Sequence, residues 1–210
     1  MRPLQHGYTN DTRGDGSVVV KRFTGPDAPV RWATERDMLE LLAGRLPVPA
    51  LLRAPTGELH LAHLTGTHGQ ELIEAGHAGP VLRSCGAMLR RLVEADVTHG
   101  DYGPNNILLD AGTGTITGIL DWEWAHRGSD PVADLAWCEW IVRMHHPGEV
   151  HALGALFDGY GHRPPWPERR AAMLATCRMM LGLRGTLGTD DPGYARWQQA
   201  VVTTQGWAEL

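Results

Sequence analysis

Between residues 97 and 121 a short polar loop runs into two apolar strand-like stretches, and this junction constrains the fold more than any other part of the chain. The loop His99-Gly100-Asp101-Tyr102-Gly103-Pro104 is kept out of regular helix by its proline. Apolar residues over 107–110 and 115–121, with Ala-Gly-Thr-Gly at 111–114 between them, predict two strands joined by a turn. Asp101, Asn106 and Asp121 are therefore presented from a rigid base. Ionised Asp101 is acceptor-only, so it can orient a hydroxyl and take its proton. Asn106 adds a neutral oxygen and Asp121 a charged one, the few protein oxygens that magnesium accepts beside phosphate and water.

Upstream, Val18–Phe23 predicts a strand and 31–45 a helix, with Trp32, Met38, Leu39, Leu41 and Leu42 apolar and Glu35, Asp37 and Glu40 acidic. Short strands are expected at 50–54 and 59–64, separated by a Pro-Thr-Gly turn, and Gly66 and Gly69 mark a hinge. Over 77–95, Val81, Leu82, Cys85, Met88, Leu89, Leu92 and Val93 form one helical stripe. From 131 to 208 the chain reads as helices cut by Pro147-Gly148, by Pro164, Pro165 and Pro167, and by Asp190-Asp191-Pro192-Gly193. A strand-rich beginning followed by a larger helical part predicts an α+β chain of two lobes, divided as 1–66 and 67–210.

Of the 19 cationic side chains a single one is lysine, Lys21, and it sits in the apolar run of the first predicted strand. A compact ammonium is not interchangeable with a planar guanidinium, so a lone lysine either marks a site needing a point charge, as on phosphate, or is a chance survivor. Glu35 on the following helix can hold it. Lys21, Glu35, Asp101, Asn106 and Asp121 are together the parts of a phosphoryl-transfer site, with the Asp-to-Asn interval of a kinase catalytic loop.

Other classes fit poorly. A net charge of −5 gives no basic footprint for nucleic acid. No apolar run approaches the ~18 residues of a membrane span, and no signal-peptide core is present. Three widely spaced cysteines read as reduced thiols, not as a disulfide frame or zinc site. The expectation is a cytoplasmic protein without a membrane partner, its oligomeric state open. Lys21 does not follow a Walker A glycine, Gly14 and Gly16 precede a strand where a dinucleotide fingerprint needs a helix, and no Gly-x-Ser-x-Gly elbow occurs. His60 and His63, three apart in a strand, point to opposite faces and make no metal pair.

The motifs His99-Gly-Asp101-Tyr-Gly-Pro-Asn-Asn106-Ile-Leu, Ile119-Leu-Asp121-Trp-Glu123-Trp and Asp130-Pro-Val-Ala-Asp134-Leu-Ala resemble those of the aminoglycoside phosphotransferase family, which also includes choline, homoserine and sugar kinases. The resemblance implies a bilobal protein-kinase-like fold with a small β-rich N-lobe, a larger helical C-lobe and ATP (or GTP) between them. It implies transfer of the γ-phosphate to a hydroxyl of a small molecule: an aminoglycoside, another antibiotic, a sugar or an amino alcohol. By the same resemblance Asp101 is the catalytic base, and Lys21 and Glu35 are the lysine–glutamate pair. Asn106 and Asp121 bind Mg2+, and Glu123 reaches a second ion. Gly7, Thr9 and Asn10 belong to a phosphate loop, and backbone near Ala62, His63 and Leu64 meets adenine. His99 would brace the loop, and Asp130 and Asp134 would cap and brace a helix. The phosphate loop departs from Gly-x-Gly-x-x-Gly and begins only a few residues into the chain, which keeps a second reading open, a catalytically silent kinase-like binding module. From 126 to 210 nine acids face eight arginines, so the composition does not single out a polycationic acceptor. Trp137, Trp140, Trp166, Trp197 and Trp207 could stack on a sugar or aromatic ring, but at helical spacing are expected mostly as core.

Overall fold

A computed structural model describes residues 1–3, with 2 and 3 by backbone alone, and 10–209. The first lobe is a five-stranded antiparallel sheet crossed by one helix. In chain order it holds β1 (Arg2–Pro3), β2 (Asp11–Gly14), β3 (Val18–Arg22), α1 (Ala28–Leu42), β4 (Leu51–Arg53) and β5 (Glu58–Ala62). The sheet order is β1-β2-β3-β5-β4, with Lys21 opposite Leu59 and Thr12. The second lobe opens with β6 (Thr67–His68), α2 (Gly69–Glu74), α3 (Ala78–Glu94) and β7 (Val97–Thr98). The hairpin β8 (Ile107–Leu109) and β9 (Ile116–Ile119) follows, then β10 (His126–Arg127), α4 (Ala133–His145), α5 (Leu153–Tyr160), α6 (Trp166–Gly185) and α7 (Pro192–Gln205). This is the expected bilobal α+β architecture.

The strands at 18–22, 51–53 and 58–62 and the helix at 78–94 lie where the sequence predicts them. Six of the seven stripe residues of α3 are buried. The first helix begins three residues earlier than expected because Pro29, near its N-terminus, is pre-set for helix. Its buried face is not purely apolar: Arg31 and Glu35 are buried beside Met38, Leu39 and Leu42. The β8–β9 turn is closed by Asp110, whose Oδ1 accepts from the Gly112 and Thr113 amides at 3.0 and 2.8 Å.

One apolar cluster runs through both lobes, from Leu39 and Leu42 of α1 and Leu59 of β5 to Leu82 and Leu92 of α3, Ile107, Ile119 and Trp122. A second joins α4, α6 and α7 through Trp137, Trp140, Met173, Cys177 and Ala200. Of the five tryptophans expected as core, Trp137 and Trp140 are buried, while Trp166, Trp197 and Trp207 are half-buried. The three cysteines are free and buried. Among the described residues no helix is long and apolar enough to cross a membrane.

Helices α3 and α5 cross backbone to backbone. A Cβ on Gly86 would lie 2.1 Å from the Leu156 carbonyl oxygen, and one on Gly159 would lie 2.1 Å from that of Arg83. Gly-to-Ala inside a helix ordinarily stabilises by roughly 0.5–1 kcal/mol. Here the clash reverses the sign. Gly159→Ala is expected to cost about 1–3 kcal/mol, and so to lower the melting midpoint by roughly 2–12 °C. An unchanged or higher midpoint in calorimetry would refute the close-packed crossing.

Candidate active site

Strand β3 turns Lys21 inward, where it is 3% exposed. Its Nζ lies 2.6 Å from Glu35 Oε2 on α1, 2.5 Å from Asp121 Oδ1 after β9, and 3.5 Å from Glu123 Oε2. Burial works against its charge, but the Asp121, Glu35 and Glu123 carboxylates outweigh it and hold its pKa above the ordinary value. Glu35 is pushed up to about 7 by burial, with Lys21 pulling the other way and the Asp121 charge adding to the rise. Asp121 is opposed by burial yet held below the usual carboxylate range by Lys21. Its side chain is 41% exposed, so it faces both Lys21 and solvent. Its backbone is left-handed at φ 62°, a conformation aspartate tolerates better than most residues.

The residues of the loop at 99–106 are fixed by a dense set of bonds. Buried His99 accepts the Asp101 amide on Nδ1 at 3.2 Å, so Nε2 carries the proton it donates to the Leu120 carbonyl at 2.9 Å. Burial lowers its pKa to about 4, which keeps it neutral near pH 7. Asp134, in the first turn of α4, accepts the His99 and Gly100 amides at 2.7 and 2.9 Å. Asp130 Oδ1 accepts the Val132 and Ala133 amides, which starts α4. Gly100 has φ 81°, and a Cβ there would lie 2.5 Å from the Trp124 carbonyl oxygen. Both Asp101 oxygens are engaged: Oδ1 accepts from Trp137 Nε1 at 2.7 Å and Oδ2 from Asn106 Nδ2 at 2.8 Å. Burial raises the Asp101 pKa to about 7; Trp137 and Asn106 pull it down and the Asp121 charge pushes it up.

Asn106 also donates to the Asp101 carbonyl at 2.8 Å, which turns its own Oδ1 away from that aspartate. Among the described residues no group of three or more His, Cys, Asp or Glu is gathered to hold a metal ion. His60 pairs with Glu58 at 2.6 Å, not with His63. A cation beside Asn106 Oδ1 and Asp121 would have to complete its shell from phosphate and water. That suits magnesium and does not suit zinc. The donor set therefore fits the implied ion.

Other expected residues have different surroundings. Glu123 is buried, and its Oε2 accepts from Asn10 Nδ2 at 2.6 Å and Arg31 Nη1 at 3.0 Å. The Asn10 amide expected on phosphate thus faces Glu123. Gly7 and Thr9 lie outside the described residues. Where β5 ends, the Ala62 and His63 amides bond Ala50 and Ser17 carbonyls, both at 2.9 Å, so the Leu64 amide is the next donor along the chain. Arg31 and Trp137 carry no signal in the sequence. An arginine in a helix reads as solvated and a tryptophan as core.

Residues 94–172 match the profile of the family described as the phosphotransferase enzyme family, which spans the loop, the hairpin and the start of α6. A macrolide 2'-phosphotransferase from Brachybacterium faecium is similar at 22% identity and TM-score 0.63, covering 100% of this chain and 93% of that one. The chain has the fold of the kinase-like phosphotransferases. It is also similar to a choline/ethanolamine kinase family protein from Mesorhizobium loti, at TM-score 0.70 and 16% identity over 98% of this chain and 86% of that one. A third similar structure is a thermostable mutant of the aminoglycoside phosphotransferase APH(4)-Ia with ADP and hygromycin B, at TM-score 0.67 and 16% identity over 98% and 94%. No curated protein matches the sequence. The resemblance drawn from the loop motifs thus holds in both sequence profile and fold.

Asp134→Ala leaves two backbone amides of the loop without their acceptor and should cost about 1–3 kcal/mol each, less where water reaches them. Hydrogen exchange at His99 and Gly100 should accelerate more than at α3. Equal protection at all three would refute the brace.

Proposed function

We propose that the chain is an ATP-dependent small-molecule phosphotransferase, cytoplasmic, with residues 1–66 and 67–210 as its lobes and the nucleotide between them. The observation that supports this best is the meeting of Lys21 and Asp121 at 2.5 Å. Residues a hundred positions apart, from a strand of one lobe and a hairpin of the other, converge where a nucleotide would lie. Mg2+, held by Asn106 and Asp121, would neutralise phosphate charge and align the γ-phosphate. Lys21 exchanges one of its carboxylate contacts for the α- and β-phosphates and keeps Glu35. Asp101 orients the acceptor hydroxyl and takes its proton. The hydroxyl oxygen bonds the γ-phosphorus as the bond to the β-phosphate oxygen breaks, and ADP leaves. Trp137 and Asn106 fix the Asp101 carboxylate, which limits the entropy lost in reaching that geometry.

The acceptor belongs to the class of hydroxylated small molecules that includes aminoglycosides, macrolides, sugars and amino alcohols, and resistance to an antibiotic is one role such an activity serves. Three similar structures are described with such acceptors or families. GTP is an alternative donor.

Thermal-shift titration tests the reading. Mg-ATP at a hundred times its dissociation constant contributes about 2.7 kcal/mol, which raises the midpoint by roughly 5–11 °C. No magnesium-dependent shift at millimolar ATP would leave the silent binding module as the better account. In an acceptor panel scored by ADP release, Asp101→Ala should abolish turnover and keep the nucleotide shift; retained turnover would remove Asp101 as the base. The base must be ionised, so kcat/KM should fall as pH drops below about 7. Trp137→Phe removes a bond that lowers the Asp101 pKa and should move this acidic limb to higher pH; an unmoved limb would show that Asp101 does not set it.

A further inference from the structure

Arg31 has no part in the chemistry above, yet it is 2% exposed and bonds into the site. Its Nη1 donates to Glu123 Oε2 at 3.0 Å and to Asn10 Oδ1 at 3.2 Å. Its Nε donates to the Pro26 carbonyl at 3.0 Å, and Nη2 to the Thr24 carbonyl. The guanidinium carbon lies 5.8 Å from the Trp124 ring centre and 6.0 Å from that of Phe23. A single side chain thus joins the segment before β2, the β3–α1 connection and the turn after β9.

Two consequences follow from this geometry. Arg31 and Glu35 are four apart and share one face of α1. Whatever fixes the rotation of α1 at Arg31 also fixes Glu35, the partner of Lys21. In addition, Glu123 Oε2 accepts from Arg31 and Asn10 while standing 3.5 Å from Lys21. Without Arg31, Lys21 would be the nearest cation to three carboxylates and would be drawn toward Glu123.

We propose that Arg31 is a positioning residue for phosphoryl transfer: its guanidinium docks α1 and Asn10 onto Glu123 of the C-lobe, and this keeps Glu35 on Lys21 and leaves Lys21 for the nucleotide phosphates. The inference rests on the phosphotransferase reading. Lysine cannot replace Arg31, because a compact ammonium lacks the planar fork that serves four acceptors in fixed directions.

The test is calorimetric titration of Mg-ATP into the wild-type chain, Arg31→Lys, Arg31→Met and Gly159→Ala. The last is a destabilised control whose clash lies in the α3–α5 crossing. Both Arg31 variants should bind Mg-ATP about tenfold more weakly or worse, while Gly159→Ala binds as wild type. In the turnover assay KM for ATP should rise and KM for the acceptor stay within about twofold. Should Arg31→Met fail to fold, Arg31→Lys, which keeps a positive charge beside Glu123, carries the test alone. Arg31 variants that bind Mg-ATP as wild type does, at whatever melting midpoint, overturn the positioning role and leave the phosphotransferase reading standing. A wild-type chain that does not bind Mg-ATP overturns the reading itself, and the inference with it.

Discussion

An ammonium cannot stay charged out of water unless carboxylates stand close to it, and the arrangement of both lobes follows from meeting that condition at Lys21. Glu35 comes from α1, Asp121 from the end of β9 and Glu123 from the turn beyond. Each approaches from a different element, so the helix must lie against the sheet and the hairpin must close on both. The count is unbalanced. With Arg31 included, two buried cations face three carboxylates, and the half-exposed Asp121 lies at the open side. The cluster is therefore complete as a fold contact and carries one net negative charge, which would attract a cation.

The loop at 99–106 solves a different problem. Asp101 is held in one orientation although it sits in a loop, where backbone is normally mobile. Neutral His99 ties the loop to the strand end at Leu120, Asp134 ties its amides to α4, and Trp137 ties the carboxylate itself to the same helix. Trp137 in turn stacks on Trp140 with ring centres 4.3 Å apart. Asp101 is thus anchored to the second apolar cluster, and the Lys21 group to the first.

The strands, the α3 stripe and the spacing from Asp101 to Asn106 could be read from sequence because each is a local pattern: alternation, helical periodicity, or residues within one loop. The turn at Pro55–Gly57 and the breaks at Pro147 and Pro164 were legible for the same reason. What could not be read depends on partners far along the chain. The buried face of α1 includes Arg31 and Glu35, and nothing near residue 31 announces Glu123, 92 positions away. The two-residue strands β6, β7 and β10 have no intrinsic pattern and exist through their partners alone. Asn10 reads as a phosphate-loop donor, but its amide meets a carboxylate that adjacency in sequence cannot supply.

The near-absence of lysine has a practical consequence. Apart from the α-amino group, the chain carries one primary amine, and it lies at the centre of the site. An acylating reagent selective for amines therefore has a single internal target, and modification there needs no mapping among competing positions. Since that amine is buried and held protonated by carboxylates, it is shielded while those contacts hold. The rate of labelling becomes a clock for their release, read by intact-mass spectrometry without mutating a residue.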